Sequence, residues 1–260
     1  MVLPSSERRE PLQNNQSQFD HDNANYFGNS YDELREELGS HKIFKPGPIK
    51  EDEESNDGIA YKSSFINNGL NNSIGDLTNF AFNYKAYKGV SNGFGKITLD
   101  DNSIYEGNFK RGQANGKGKL FLANGDIYDG EWKNNKADGY GIYIHSSGSV
   151  YEGYWENNKR SGFGKEIWSD GSKFEGQFRN GLKNGQGTYY FSEKAVYTGE
   201  WVDNRMEGWG KFEHSSGKIY EGKWKDGFYH GEGNLKLESG EFYQGKFVNG
   251  MKHGKLIVLD

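Results

Sequence analysis

The chain has no cysteine, only 4 prolines and no long apolar run, and each absence removes a class of protein. Without cysteine there is no disulfide framework, no thiolate metal site and no cysteine nucleophile, a composition that fits a reducing compartment. No stretch approaches the roughly 20 apolar residues of a membrane-spanning helix. The opening residues, Met1 to Gln18, are polar and mixed in charge, unlike a secretory signal. Met1-Val2 lacks the glycine that myristoylation needs, and no prenylation box closes the chain. The expectation is a cytoplasmic protein, neither secreted nor transmembrane. A strong charge of one sign is also missing. Residues 1–80 carry 14 acidic against 7 basic side chains, and the remainder 23 against 25. The second part is near neutral and lacks the basic stripe of a nucleic-acid binder.

What the chain has in excess is glycine, 38 in 260 residues, about twice the average share of roughly 7%. The glycines keep time. A Tyr-x-Gly triplet returns every 23 residues at Tyr105, Tyr128, Tyr151, Phe174, Tyr197, Tyr220 and Tyr243, with one Phe for Tyr. Eleven residues after each of the first six stands Gly-x-Gly: Gly116/Gly118, Gly139/Gly141, Gly162/Gly164, Gly185/Gly187, Gly208/Gly210 and Gly231/Gly233. A fixed period of this length signals a stacked array of supersecondary units.

The chain therefore divides. Residues 1–80 are rich in Asn, Ser, Asp and Glu, with the acidic run Glu51-Asp52-Glu53-Glu54. They hold too little apolar surface to offset the entropy of ordering, so a disordered segment is predicted. Within it, residues 31–38 are mostly helix formers ending at Gly39, with Tyr31, Leu34 and Leu38 on one face, which predicts a short recognition helix. Residues 81–260 form the array, about seven repeats with atypical end units.

One repeat reads as two strands. Tyr128, Gly130 and Trp132 point to one side of a strand, while Asp129 and Glu131 point to the other. The Trp position is aromatic throughout: Phe109, Trp132, Trp155, Phe178, Trp201, Trp224 and Phe247. In the companion strand, Gly116 and Gly118 are expected to share a face with Leu120 and Leu122, leaving bare backbone for rings to lie on. Asn124-Gly125, Ser147-Gly148, Asp170-Gly171, Ser216-Gly217 and Ser239-Gly240 predict two-residue hairpin turns with positive φ angles. Glu193-Lys194 breaks that chemistry and predicts a looser turn. Seven places beyond each Tyr only Gly or Asn occurs, which predicts a sharp turn there. The fold class is all-β, an elongated single-layer antiparallel hairpin solenoid.

The phase-locked Tyr-Glu-Gly, Trp and Gly-x-Gly pattern resembles the MORN (membrane occupation and recognition nexus) repeat from about Tyr87 to Gly254. The resemblance implies a twisted hairpin solenoid with an aromatic-lined groove, and roles in membrane tethering, scaffolding and cytoskeletal or ciliary assembly. Tyr87-Lys88-Gly89 stands only six residues before Gly93, and Gly254 lacks its second glycine, so both end units depart from the pattern. Some such arrays are fused to methyltransferase or phosphoinositide kinase domains, for which the polar N-terminal segment is too poor in apolar residues.

No asymmetric constellation points to catalysis. Phosphate loops need glycines that open a helix, whereas these open strands. His145 and His214 recur in one register and His230 and His253 in another, too far apart to share a metal. Glu106, Asp129, Glu152, Glu175 and Glu221 are periodic, hence a polar face with partners such as Lys117 and Lys119. The reading is a scaffold without enzymatic activity or cofactor, docking a peptide or helix on aromatic residues. The candidates are Tyr140, Phe163 and Trp209, in the x position of Gly-x-Gly, with Tyr128, Trp132, Tyr151, Trp155, Trp201 and Trp224. The alternative is a tether to anionic phospholipid through Lys133, Lys136, Lys159, Arg160, Lys183 and Arg205 in the inter-hairpin connections. A third expectation is homodimerisation through the closing strand Lys255–Leu259, whose edge is open to pairing.

Overall fold

The computed structural model describes Leu77, Phe82 and residues 91–259, with side chains as far as His253. The acidic run, the helix predicted at 31–38 and nearly all of the 1–80 segment lie outside the described residues. The chain forms one antiparallel sheet of 15 strands in sequence order, the all-β hairpin architecture that the period predicts. In order these are β1 (Asn92–Thr98), β2 (Ile104–Lys110), β3 (Gln113–Phe121), β4 (Ile127–Lys133), β5 (Lys136–Ile144), β6 (Val150–Glu156), β7 (Lys159–Ile167) and β8 (Lys173–Arg179). They are followed by β9 (Leu182–Tyr190), β10 (Val196–Val202), β11 (Arg205–Glu213), β12 (Ile219–Lys225), β13 (Phe228–Lys236), β14 (Phe242–Val248) and β15 (Met251–Leu259). Even-numbered strands carry Tyr-x-Gly-x-aromatic (Phe for Tyr in β8) over seven residues, and odd ones from β3 onward run for nine.

Two kinds of turn alternate. Each even strand passes to the next odd one through a two-residue turn with both φ angles positive, as at Asn134 (50°) and Asn135 (65°). That is type I′ geometry, and it accounts for the Gly/Asn restriction. Asn does more than tolerate the angle. Asn135 Oδ1 accepts from the Ala114 amide at 2.7 Å, while the Asn135 amide donates to the Ala114 carbonyl at 3.0 Å. Asn158 holds Ala137 in this way, and Asn204 holds Lys183. At Gly181 and Gly227 the amide-to-carbonyl bond is kept and the side-chain bond is lost.

The return turns differ from the expectation. Around Asn124-Gly125 the Gly125 amide donates to Leu122 O at 2.9 Å and the Leu122 amide to Asp126 O at 2.9 Å, closing a three-residue loop. Only Gly125 has positive φ (89°), so this is a type I turn followed by one left-handed residue. Asn-Gly suits either turn; here the Asn124 side chain accepts from the Asp126 amide at 3.1 Å and favours the longer loop. Nor is the turn at Glu193-Lys194 looser. Lys194 N–H reaches Phe191 O at 3.0 Å, Phe191 N–H reaches Ala195 O at 2.9 Å, and Lys194 is held at φ 68°. The flanking ladders impose the common geometry against the residue's own preference.

The nine-residue strands owe their length to a bulge. Between β4 and β5, Gly130 faces Gly141 and Trp132 faces Ala137, so Glu131 alone opposes Asp138, Gly139 and Tyr140. A surplus of two keeps the side-chain alternation in phase. The first glycine of Gly-x-Gly thus serves the bulge (Gly139, φ 116°) and does not lie under a ring, as sequence analysis expected. The second glycine does. The Tyr128 ring lies across Gly130 and Gly141, where a Cβ on Gly141 would stand 2.5 Å from the tyrosine oxygen.

The same tyrosine repairs the broken ladder. Its hydroxyl donates to Glu131 O at 3.1 Å, and the Glu131 carboxylate accepts from the Tyr140 amide at 3.1 Å. Buried backbone groups left unpaired are costly, so this reciprocal capping makes the bulge tolerable. Tyr197, Glu200 and Trp209 repeat the arrangement at 3.0 and 2.9 Å.

Neighbouring repeats interlock through rings. Tyr128 meets Trp132 of its own repeat and Trp155 of the next edge-on, both at 5.1 Å. Tyr151 meets Trp155 and Phe178 at 5.3 and 5.2 Å, and Tyr197 meets Trp201 and Trp224 at 5.2 and 4.9 Å. Each edge-to-face pair adds about 0.5–1.5 kcal/mol beyond area burial. The indoles also reach back one repeat: Trp132 Nε1–H donates to Gly118 O at 2.8 Å and Trp224 Nε1–H to Gly210 O at 3.0 Å.

Because Lys194 holds a left-handed angle that its equivalents assign to Gly or Asn, Lys194→Gly is expected to stabilise the array by about 1 kcal/mol. A higher urea midpoint at unchanged slope is the expected reading; an unshifted or lower midpoint would contradict the turn assignment.

Candidate interaction faces

Alternation divides the sheet into an inner face, bearing the ring ladder, and an outer face. The x residue of Gly-x-Gly lies on the outer one. Phe163 is 57% exposed and Trp209 54%. Tyr140 is half-buried; its hydroxyl donates to Glu152 Oε1 at 2.8 Å, and its ring meets Tyr154 edge-on at 5.5 Å. Two further outer aromatics were missed from sequence. Phe94, 67% exposed, sits in the same register within Gly93-x-Gly95, in the first unit, which departs from the repeat pattern. Tyr154 faces Tyr140 across the strands, three places after Tyr151, where alternation alone sends it outward.

Around these rings the outer face is charged but internally matched. Lys96 pairs with Glu106 and Lys119 with Asp129, each at 3.1 Å, and Lys165 approaches Glu175 at 3.9 Å. Exposed pairs of this kind contribute little stability, but they leave no strong field of one sign. Phe94, Phe163 and Trp209 are the most exposed rings on this face.

The other aromatic candidates are placed differently. Tyr128, Trp132, Tyr151, Trp155, Trp201 and Trp224 are all buried in the inner ladder. They share a face with the glycines that receive them, so their surface is consumed in packing between repeats and, at Trp132, also against Phe82.

The basic candidates do not form one edge. Lys133 and Lys136 are exposed at a type I′ turn, where Lys136 Nζ donates to Asn157 Oδ1 at 3.2 Å. Lys159 is half-buried, and Arg205 is exposed but paired with Asp226 at 2.9 Å. A cavity of about 580 Å³ beside Lys133 is lined by Lys110, Arg111 and Lys117, opposed by Glu131 and Asp138. Arg160 and Lys183 are in the core. Arg160 Nη1 contacts Glu166 Oε1 at 2.7 Å, its Nη2 donates to Gly181 O at 2.7 Å, and Lys183 Nζ lies 3.2 Å from Glu166 Oε2. Burial pushes the Lys183 ammonium below its ordinary range, and the Glu166 carboxylate opposes that shift. Lys183 also lies 4.7 Å from the Trp168 ring centroid and Arg160 5.3 Å from that of Phe178, contacts in which aromatic faces help to solvate the cations. In the same two registers other repeats carry Ala137, Met206, Tyr143 and Leu235.

The described residues include no group of three His, Cys, Asp or Glu side chains able to hold a metal. His145 and His214 instead brace their turns, each Nδ1 accepting a serine amide at 3.0 Å. Burial and the nearby Lys218 hold His214 below its usual pKa. No helix among the described residues is long and apolar enough to cross a membrane.

Leu77, within the segment expected to be disordered, is buried against the array, and its amide donates to Asn158 O at 3.2 Å. Phe82 meets Tyr105 and Trp132 edge-on, both at 5.3 Å.

The MORN repeat model matches seven consecutive stretches, 105–127, 128–150, 151–173, 174–195, 197–219, 220–241 and 243–255. No curated protein matches the sequence. Among solved structures, the chain is similar to the Drosophila melanogaster SAS-4 (dCPAP) TCP domain in complex with a proline-rich motif of Ana2 (dSTIL). That likeness has 14% identity and a TM-score of 0.35, covering 64% of this chain and 100% of that one. The TCP10 domain of Danio rerio CPAP is similar at 11% identity and TM-score 0.22, covering 61% of this chain and 99% of that one.

The buried charges yield a stability prediction. Glu166→Gln leaves two cations unmatched in the core and is expected to cost about 3–5 kcal/mol. Changing all three to residues that other repeats use, Arg160→Ala, Glu166→Tyr and Lys183→Met, is expected to recover most of that loss in thermal or urea melts. A neutral Glu166→Gln would mean that the cluster is hydrated and not buried.

Proposed function

Given that the chain belongs to the MORN-repeat family, we propose that it is a non-catalytic scaffold whose outer face docks a protein partner, a peptide or a helix with an apolar stripe. The observation that carries this reading is the exposure of Phe94, Phe163 and Trp209 on a face whose charges are largely matched. Such side chains offer large contact area at low entropic cost. A partner recognised here would be chosen by apolar contact, with little help from long-range charge. The setting we infer is cytoskeletal, ciliary or cortical assembly, supported by the family resemblance. Self-association is a further element of the proposal: β15 pairs with β14, and among the described strands its other edge is open.

A second reading, a tether to anionic phospholipid, is favoured by the cavity whose lining has four cations, Lys110, Arg111, Lys117 and Lys133, against Glu131 and Asp138. It is weakened by the burial of Arg160 and Lys183 and by the Arg205–Asp226 pair.

Phe163→Ser with Trp209→Ser is expected to leave the fold intact, because both residues are exposed, and to remove the proteins labelled in proximity to the wild type. An unchanged set of labelled proteins would overturn the outer-face reading. In sedimentation with phosphatidylserine vesicles, the scaffold reading expects no salt-sensitive binding, and the tether reading expects binding lost at high salt.

A further inference from the structure

The rings of the outer face stand in one lane with a fixed step. Phe94 lies in β1, Tyr140 in β5, Phe163 in β7 and Trp209 in β11, each one place before the glycine that pairs with the glycine of the following strand. Neighbouring strands lie about 4.8 Å apart, so one repeat advances the lane by about 9.6 Å. The rings therefore fall at whole steps: two repeats from Phe94 to Tyr140, one to Phe163 and two to Trp209. A ligand that meets them all must bring a side chain back to the same side at this interval. A β-strand does so about every 6.8 Å, short of a single step by about 2.8 Å. An α-helix repeats a face after seven residues, about 10.5 Å, and runs ahead by about 4.5 Å over the five repeats. A polyproline II segment turns once in three residues, about 9.3 Å, and lags by only about 1.5 Å over the same distance.

The polar groups of the lane suit such a segment. Polyproline II has no internal hydrogen bonds, so its carbonyls are free to accept. The indoles of Trp132, Trp155, Trp201 and Trp224 each donate to a glycine carbonyl, whereas the Trp209 indole N–H makes no hydrogen bond among the described residues. Gln177 and Gln186 lie exposed between Phe163 and Trp209; Gln177 Oε1 accepts from the Gln186 amide at 3.0 Å, which leaves both side-chain amino groups as donors. Glu131 and Glu200, the acids of the lane beside these rings, accept from the backbone amides of Tyr140 and Trp209. Lys223, paired with Trp209 across the strands, is exposed and joins no ion pair among the described residues. The complementary ligand is thus uncharged along the rings and acidic beside Trp209.

We propose that the occupant of the outer face is a polyproline II segment lying along the array, with an apolar residue at every third position and an acidic residue where it passes Lys223. This rests on the outer-face reading of the proposed function and selects an extended peptide over a helix. Each apolar residue packs against one ring of the lane, and the Trp209 indole and the glutamine amides donate to the ligand's carbonyls. Specificity then lies in spacing: the repeat measures the ligand in units of three residues.

The test uses the full chain and two fluorescein-labelled peptides, read by anisotropy. One repeats Pro-Pro-Leu six times and the other Pro-Pro-Pro-Leu six times, each ending in Asp, so that both are polyproline II and carry equal numbers of leucines. The three-residue peptide is expected to bind at least about tenfold more tightly than the four-residue one, and to lose its binding in the Phe163→Ser, Trp209→Ser variant. Gln186→Phe fills the gap between Phe163 and Trp209 and is expected to tighten the three-residue peptide severalfold while leaving the four-residue peptide unchanged. Lys223→Glu is expected to weaken the three-residue peptide, and ending that peptide in Lys in place of Asp is expected to restore it. Equal affinity for the two peptides, binding of neither, or binding that ignores Phe163 and Trp209 would overturn the proposal. If neither peptide binds while proximity labelling still depends on Phe163 and Trp209, the outer face docks a partner of another shape and this inference alone falls. If the three-residue peptide binds as expected while labelling is unchanged, the ligand chemistry stands and the reading of the cellular partner falls.

Discussion

The structure depends on a tyrosine ring laid across two facing glycines. That contact requires bare backbone on adjacent strands, and it is why Gly130 and Gly141 face each other under Tyr128. The ring's far side is free to take the indole of the following repeat. Its hydroxyl sits where the bulge opens the ladder and donates to the exposed carbonyl. One side chain therefore joins two strands, two repeats and a backbone defect. Phe174 marks how the parts separate: its ring still meets Phe178 and Trp201, both at 5.2 Å, although it has no hydroxyl to donate.

Function follows from what this contact leaves over. Rings committed to the inner ladder are buried in packing, so the proposed recognition surface is the opposite face, where Gly-x-Gly projects one residue per repeat. Those positions vary: Phe94, Lys117, Tyr140, Phe163, Gln186, Trp209 and Glu232. A uniform frame thus displays a non-uniform row of side chains, which is what the proposed scaffold role calls for. The inner face departs from uniformity at the Arg160–Glu166–Lys183 cluster and where Phe82 and Leu77 are seated. Replacing such a buried cluster by apolar groups is often neutral or stabilising, so stability alone does not explain its presence.

Much of the frame was legible in the sequence. The fixed beat and the two-residue alternation placed the Tyr, Gly and Trp columns on one face and Phe163 and Trp209 on the other. Turn types were read less well, because Asn-Gly satisfies both hairpin geometries and loop length, which decides, is set by pairing across the sheet. The bulge was invisible for a related reason: a surplus of two residues preserves the alternation that reveals a strand. Arg160 and Lys183 looked like connection residues, although each lies within the first two residues of a strand; comparison with Ala114, Ala137 and Met206 down the same column would have exposed them. Leu77 gave no signal, since a single anchor has no period.

Amide hydrogen exchange on Gly141→Ala tests the central contact most directly. The account predicts lost protection in β4 to β7, where the Tyr128 ring and Trp155 no longer seat together, with protection kept from β10 onward. Protection in β4 to β7 equal to that of the wild type would show that the array does not rest on rings lying across bare glycine.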